Sequence, residues 1–253
     1  MQILFGIHAV EEALASRGRA FEYVAVTSAR GDARIRKIVE LTRAAGVPLR
    51  PMPRDQLTRL AKTEHHQGVV AVTAEKRYGD LEDLLAHRRS QHAFLLVLDG
   101  IEDPHNLGAI IRTAEGAGAD GIVIPERRAT GVTSTVVKAS AGASEHLPVA
   151  RVTNLGRAIE ELKSRNIWTV GLDERATQTY DRLDYKMDCA IILGAEGHGL
   201  HEQIRKKCDF LVSIPMLGSV PSLNVSVAGA VVMYEVARQR RAAHSVGKAK
   251  PPR

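Results

Sequence analysis

Three separate polar stretches carry side chains of types that can do chemistry. Asn106 and Arg112 stand six apart in DPHNLGAIIRTAEGAGA, Glu196 sits among glycines in LGAEGHGL, and Ser222 and Asn224 alternate in VPSLNVSV. Amide, carboxylate, hydroxyl and guanidinium groups can align a neutral hydroxyl or hold a phosphate. A guanidinium does not ordinarily give up its proton in proteins, so the group type at Arg112 suits binding charge rather than removing a proton. Each group also has a plainer use. Asn106 can cap a helix beginning at Leu107, and Ser222 and Asn224 can cap the helix after them. Arg112 can snorkel from an apolar face, and Glu196 can be an exposed loop carboxylate.

The glycines around Glu196 carry a second message. Gly194, Gly197 and Gly199 follow an apolar run, and glycine permits close backbone approach and positive φ. Their spacing is not the dinucleotide fingerprint, and no second βαβ unit with a suitably placed acid follows. That weighs against a nucleotide-dependent oxidoreductase. No metal-ligand set is expected either. Cys189 and Cys208 stand 19 apart without partners at useful spacing, and read as reduced thiols of a cytoplasmic protein. His65 and His66 are read on one strand, where neighbours point to opposite sides, so they suit RNA contact or exposure rather than one metal.

Strands must position these groups. Residues 94–98 form a continuous apolar run of the kind buried in parallel sheets, residues 190–193 and 210–214 read as further strands, and a polar loop follows each. Ligands of such sheets bind beyond the carboxyl ends of the strands, so the three loops are expected to share one site. Helices over 107–116, 132–141 and 153–165 alternate with strands over 121–124 and 167–172, which predicts a parallel sheet covered on both faces. After a loop broken by Pro215, Gly218 and Pro221, a helix starts near Leu223. It stays apolar on nearly every side through Val236, interrupted only by Ser226 and Glu235, and so needs cover all round. Val225, Val227, Val231, Val232, Met233 and Val236 point in too many directions for one sheet face, which predicts a homodimer built on this helix.

Residues 1–77 hold another alternation. LFGIHAVEEALAS is a strand end turning into a helix with Ile7, Val10 and Leu14 on one face. A strand over 23–27, a helix capped by Asp32 and ended by Gly46, a strand over 47–52, a helix over 53–62 and a strand over 68–73 follow. Residues 78–91 read as a linker with a short helix from Asp80 to His87. Residues 92–241 then form the second domain, and 242–253 a disordered basic tail. Charge divides similarly: residues 1–77 carry 13 Lys and Arg against 8 Asp and Glu, residues 92–235 carry 14 against 18, and the chain from Val236 carries six bases and no acid. One module gripping phosphates and another doing chemistry fits that division. The N-terminus lacks the features of a signal peptide, and no run approaches the roughly 20 apolar residues of a membrane span.

Three stretches, DPHNLGAIIRTAEGAGADGIVIP from Asp103, ILGAEGHGL from Ile192 and IPMLGSVPSLNVSVAGAVVMYE from Ile214, resemble the ordered signatures of the TrmH/SpoU-type RNA 2′-O-ribose methyltransferases of the SPOUT class. The N-terminal module, with FGIHAVEEAL and HHQGVVA, is similar to the substrate-binding domain attached to that family. The resemblance implies an α/β protein with an N-terminal L30-like domain. Its C-terminal SPOUT domain would have a parallel sheet and a trefoil knot. It implies S-adenosyl-L-methionine (AdoMet) as cofactor, contacted by Gly194, Ile214 and Leu223, and a catalytic set of Asn106, Arg112, Glu196, Ser222 and Asn224. The family's arginine is the residue usually proposed to activate the ribose hydroxyl, and two roles stay open for Arg112: assisted base, or phosphate clamp and alkoxide stabiliser. A sulfonium leaves as a neutral thioether, so alignment and proton removal suffice without a metal. VTNLGRAIEEL and IPMLGSVPSLNVSV are most similar to bacterial enzymes that methylate a guanosine in 23S ribosomal RNA, with transfer RNA as the alternative substrate. Family members are dimers. The opposing reading is a non-catalytic RNA-binding factor in ribosome assembly, against which the five intact polar residues weigh.

Overall fold

The computed structural model describes residues 1–27, 32–86, 88 and 90–246. In chain order the first elements are β1 (Gln2–Phe5), α1 (Ile7–Ser16), β2 (Phe21–Thr27), α2 (Ala33–Ala44), β3 (Leu49–Met52), α3 (Arg54–Ala61) and β4 (Val69–Thr73). Next come α4 (Leu81–Ala86), β5 (Phe94–Asp99), α5 (Pro104–Gly116), β6 (Gly121–Pro125), α6 (Ser134–Ala139), β7 (Val149–Val152) and α7 (Leu155–Ser164). The last are β8 (Trp168–Leu172), β9 (Cys189–Gly194), α8 (Glu202–Arg205), β10 (Phe210–Val212) and α9 (Val225–Val246). They form two compact units, Met1–Arg77 with Gly131–His146, and Tyr78–Thr130 with the chain from Leu147 onward.

In the first unit the strands lie in the order β1-β4-β2-β3, with β4 antiparallel to both neighbours and β2 parallel to β3. Central β4, VVAVT, is buried at all five positions, as a strand covered on both faces requires. Asp32 caps α2, its carboxylate accepting from the Arg34 N–H at 2.9 Å.

Residues 131–146, expected in the second domain, pack in this first unit. A buried polar network holds them there. Arg19 Nε and Nη2 donate to the two oxygens of Glu145, each at 2.7 Å, and the two side chains are only 1% and 2% exposed. Arg19 Nη1 also donates to Gln2 Oε1, Gln2 Nε2 to the Val132 carbonyl at 2.9 Å, and Lys76 Nζ to the Ser144 carbonyl. A carboxylate desolvated this far is tolerable only with such a partner, so Glu145 brings its segment to Arg19.

His66 corrects a second expectation. It lies in the turn before β4, fully buried, where Nδ1 accepts from the Gly68 N–H at 3.0 Å and Nε2 meets Thr58 Oγ1 at 3.1 Å. Gln67 Oε1 accepts from the Ile7 N–H at 3.0 Å, satisfying an end of α1. A turn, unlike a strand, can send one of two adjacent histidines into the core. His65 alone is exposed.

The second unit is built on six parallel strands among the described residues, in the order β10-β8-β9-β5-β6-β7. β5 and β9 are buried at every position, which matches the apolar runs FLLVL and CAIIL that make up most of each strand. The expected linker belongs to this unit: Gly79 bridges to Ala150, and Leu81 and Leu84 of α4 join a core with Leu95, Val123, Ile159 and Leu162. His87, where the linker helix was expected to end, lies outside the described residues. Register sets Asp99 beside Gly194 and Gly171 beside Ile192, so β5, β8 and β9 finish together at one edge.

α9 packs on α5 and β9, and approaches so closely that a Cβ on Gly229 would lie 2.7 Å from Leu193 Cδ1. It is not covered all round in the single chain. Val232, Met233 and Val236 are buried, whereas Val227 and Tyr234 are each 49% exposed. It also continues to Val246, into the stretch expected to be a tail; residues 247–253 lie outside the described ones. Among the described residues no helix is long and apolar enough to cross a membrane.

Candidate functional site

A cavity of about 490 Å³ opens at the carboxyl edge of the second unit's sheet. Gly194 and Glu196 line it from the turn after β9, and Ile214, Ser222, Leu223 and Asn224 line it from the segment between β10 and α9. The turn after β9 folds back over the strand end. Ala195 and Gly199 pair, the Gly199 N–H donating to the Ala195 carbonyl at 3.0 Å, while Gly197 and Gly199 take φ of 76° and 65°. A Cβ on Gly194 would lie 2.1 Å from the Gly199 carbonyl carbon, so backbone packing alone demands glycine there. Asp99, at the end of β5, fastens the far side of the turn by accepting from the His201 N–H at 2.8 Å.

Three of the candidates close a hydrogen-bonded triangle. Asn106 Nδ2 donates to Glu196 Oε1 at 2.7 Å. Asn224 Nδ2 donates to the same oxygen at 2.6 Å and to Asn106 Oδ1 at 3.0 Å. Asn106 is free for this because it does not cap α5, which corrects the plainer reading. Asp103 is the cap, accepting from the backbone of His105 at 3.3 Å and Asn106 at 3.1 Å, with Pro104 opening the helix. Asn224 does both jobs: its Oδ1 accepts from the Ser226 N–H at 2.9 Å at the start of α9, and its NH₂ turns to the carboxylate. Glu196 Oε2 has no partner among the described residues and remains able to accept a hydroxyl.

Arg112 is not brought into the cavity lining. It is exposed on α5, roughly 120° around the helix from Asn106, with no hydrogen-bond or ion-pair partner among the described residues. Sequence reasoning missed the loop after β8. Asp173 and Arg175 line the same cavity, and the Asp173 carboxylate accepts from Arg175 N–H at 2.8 Å and Arg205 Nε at 2.6 Å. Burial pushes the Asp173 carboxyl up, but the hydrogen bonds from Arg175 and Arg205 outweigh it and hold it below its ordinary value. The signal was available, since DERAT follows an apolar run at the same strand edge.

Residues 93–234 match the SpoU rRNA Methylase family, and residues 3–79 match the module described as RNA 2′-O ribose methyltransferase substrate binding. The chain belongs to the SpoU rRNA methylase family. Family membership makes it an RNA methyltransferase. Among its relatives, YacO of Bacillus subtilis (strain 168), whose name assigns it to the TrmH family of tRNA/rRNA methyltransferases, is 46% identical over 240 residues. That match covers 94% of this chain and 95% of YacO. The SpoU methyltransferase AviRb from Streptomyces viridochromogenes, solved in complex with the cofactor AdoMet, superposes with a TM-score of 0.80. It is 27% identical and covers 95% of this chain and 90% of its own. An AdoMet-bound rRNA methyltransferase from Sinorhizobium meliloti gives 0.76 at 25% identity, with 94% and 87% covered. The α/β expectation, with an N-terminal substrate-binding module and a C-terminal parallel sheet, holds.

Proposed function

We propose that this protein methylates a ribose 2′-hydroxyl in a structured RNA with AdoMet as cofactor, and that its substrate is a guanosine of 23S ribosomal RNA. The observation that carries this reading is the Asn106–Glu196–Asn224 triangle, in which residues distant in sequence meet and two of them, Glu196 and Asn224, line a cavity of about 490 Å³. That volume falls within the range of small-molecule sites. Its lining fits the cofactor: Ile214 and Leu223 offer apolar surface, and the turn from Gly194 offers backbone at close range. When bound, AdoMet supplies a methyl group on a sulfonium sulfur that departs as a neutral thioether.

The chain's own residues then have three tasks. Asn106 and Asn224 hold the Glu196 carboxylate still, and its free Oε2 accepts a hydrogen bond from the ribose hydroxyl, orients it, and takes its proton as the oxygen–methyl bond forms and the sulfur–methyl bond breaks. Ser222, in the same lining, adds a hydroxyl partner. The open guanidinium of Arg112 holds the target phosphate and stabilises developing negative charge on the ribose oxygen. The knot implied by the resemblance belongs to this reading; the turn after β9 and the segment before α9 lining one cavity is compatible with it. So does a homodimer, supported by the Val227–Tyr234 stripe on α9, which is spaced by two helical turns and half exposed. Val227→Asp should give a monomer by sedimentation, and an unchanged active dimer removes that part. Free Cys189, whose thiol burial pushes up to about 11, suits a cytoplasmic setting.

The test is methyl transfer from labelled AdoMet to transcripts of 23S ribosomal RNA and transfer RNA, followed by nucleoside analysis. Label in 2′-O-methylguanosine from the ribosomal transcript is expected, and Arg112→Ala should lower the rate about 100-fold or more while cofactor affinity stays put. Label only in transfer RNA shifts the substrate. Label on a base, or in neither RNA, overturns the reading.

A further inference from the structure

One strand further along the carboxyl edge from Asn106 lies an arginine pair that the triangle and the cavity do not use. β6 pairs with β5 in parallel, Val97 beside Val123, so the two strands end side by side about 4.8 Å apart. The loop after β6 carries Arg127 and Arg128, and Thr130 N–H in that loop donates to the Ile101 carbonyl at 3.0 Å. This fastens the loop to the one that leads into α5 and Asn106. Both arginines are exposed, and neither has a hydrogen-bond or ion-pair partner among the described residues. Elsewhere in the unit Arg165, Arg175, Arg205 and Arg238 each bind a carboxylate. Arg128 also holds φ at 57°, a left-handed conformation that costs a non-glycine residue energy and persists where neighbours fix the loop. Two adjacent open guanidiniums in an otherwise net acidic stretch, 14 bases against 18 acids over residues 92–235, mark a place for anions.

We propose that Arg127 and Arg128 grip backbone phosphates of the RNA strand next to the nucleotide that is methylated, which rests on the reading of the chain as an RNA ribose methyltransferase. The guanidinium fork matches a phosphate in two bonds, and successive phosphates along one strand supply an acceptor for each arginine. Phosphate contacts fix register without reading sequence. The pair therefore sets how the strand lies over Asn106, Glu196 and Asn224 and leaves the choice of base to other contacts.

Transcripts of 23S ribosomal RNA and unmodified transfer RNA serve as probes. The double variant Arg127→Ala/Arg128→Ala should bind S-adenosylhomocysteine as the wild type does, because neither residue lines the cavity. Its KM for the methylated transcript should rise about 10-fold to 100-fold, the worth of one or two charge-assisted hydrogen bonds, with a smaller fall in kcat. The slope of log affinity against log salt should shrink by about 1.4, two single-strand phosphates at roughly 0.7 each. Replacing both with lysine should restore the slope but not all of KM, since the charge returns without the fork. An unchanged slope and KM overturn the proposal. If the wild type methylates neither transcript, the functional reading fails separately, and the salt slope of binding still decides the role of the pair.

Discussion

In the first unit Glu145 meets the Arg19 guanidinium through both oxygens, with the pair sealed to 1% and 2% exposure. In the second, Glu196 meets two asparagine amides through one oxygen at the rim of a cavity and leaves the other open. The ingredients are alike, a carboxylate and fixed N–H donors, yet one network is closed and the other unfinished. A closed charged pair in the core has no capacity left for a ligand, and its value is to hold distant segments together. An unfinished one at a cavity keeps an acceptor in reserve, which is what orienting a substrate hydroxyl requires.

Breaking the closed network should have the largest effect on folding. Glu145→Ala leaves the Arg19 charge buried without its partner and should cost about 3–5 kcal/mol in urea unfolding. A loss under about 1 kcal/mol would erase the contrast between the two regions. The next effect falls on the open side. Gly194→Ala drives a Cβ to 2.1 Å from the backbone of Gly199, should cost about 1–3 kcal/mol, and should abolish S-adenosylhomocysteine binding in calorimetry. Normal binding by that variant shows instead that the turn can shift.

The smallest effect concerns pH in the first unit. Burial, and secondarily the charge of Arg54, hold the His66 imidazole below its ordinary 6.5. The unfolded chain then binds a proton that the folded chain refuses, so this contribution is complete above pH 6.5 and is lost as pH falls through the depressed folded value. His66→Asn keeps an acceptor for the Gly68 N–H but does not titrate. Its unfolding midpoint should fall less than that of the wild type between pH 8 and pH 5; parallel curves contradict the assignment.

Much of this architecture was legible because its causes are local. Unbroken apolar runs such as FLLVL and AIIL announce buried parallel strands, and the rule that sites lie beyond strand carboxyl ends was enough to group Glu196, Ser222 and Asn224. The rest depends on choices between partners. Asp103 and Asn106 can each cap α5, and the Asp-Pro step decides for Asp103, which frees Asn106 to reach Glu196. Nothing near Glu145 in sequence reveals that its partner is Arg19, 126 residues away, so the place of residues 131–146 could not be read. The same limit applies to His66, whose burial depends on a turn and on Thr58 of α3. For α9, the apolar composition says how much cover is needed but not what supplies it at Val227 and Tyr234.

The central claim, that the open network serves chemistry rather than folding, is tested most directly by the methyl-transfer rate of Asn106→Ala at saturating AdoMet and RNA, under conditions where unfolding curves show the variant fully folded. The account predicts a rate lower by about 100-fold or more, with stability changed by no more than about 1–3 kcal/mol, the cost of one buried hydrogen-bonding group. A folded variant that transfers methyl within a few-fold of the wild-type rate would contradict it.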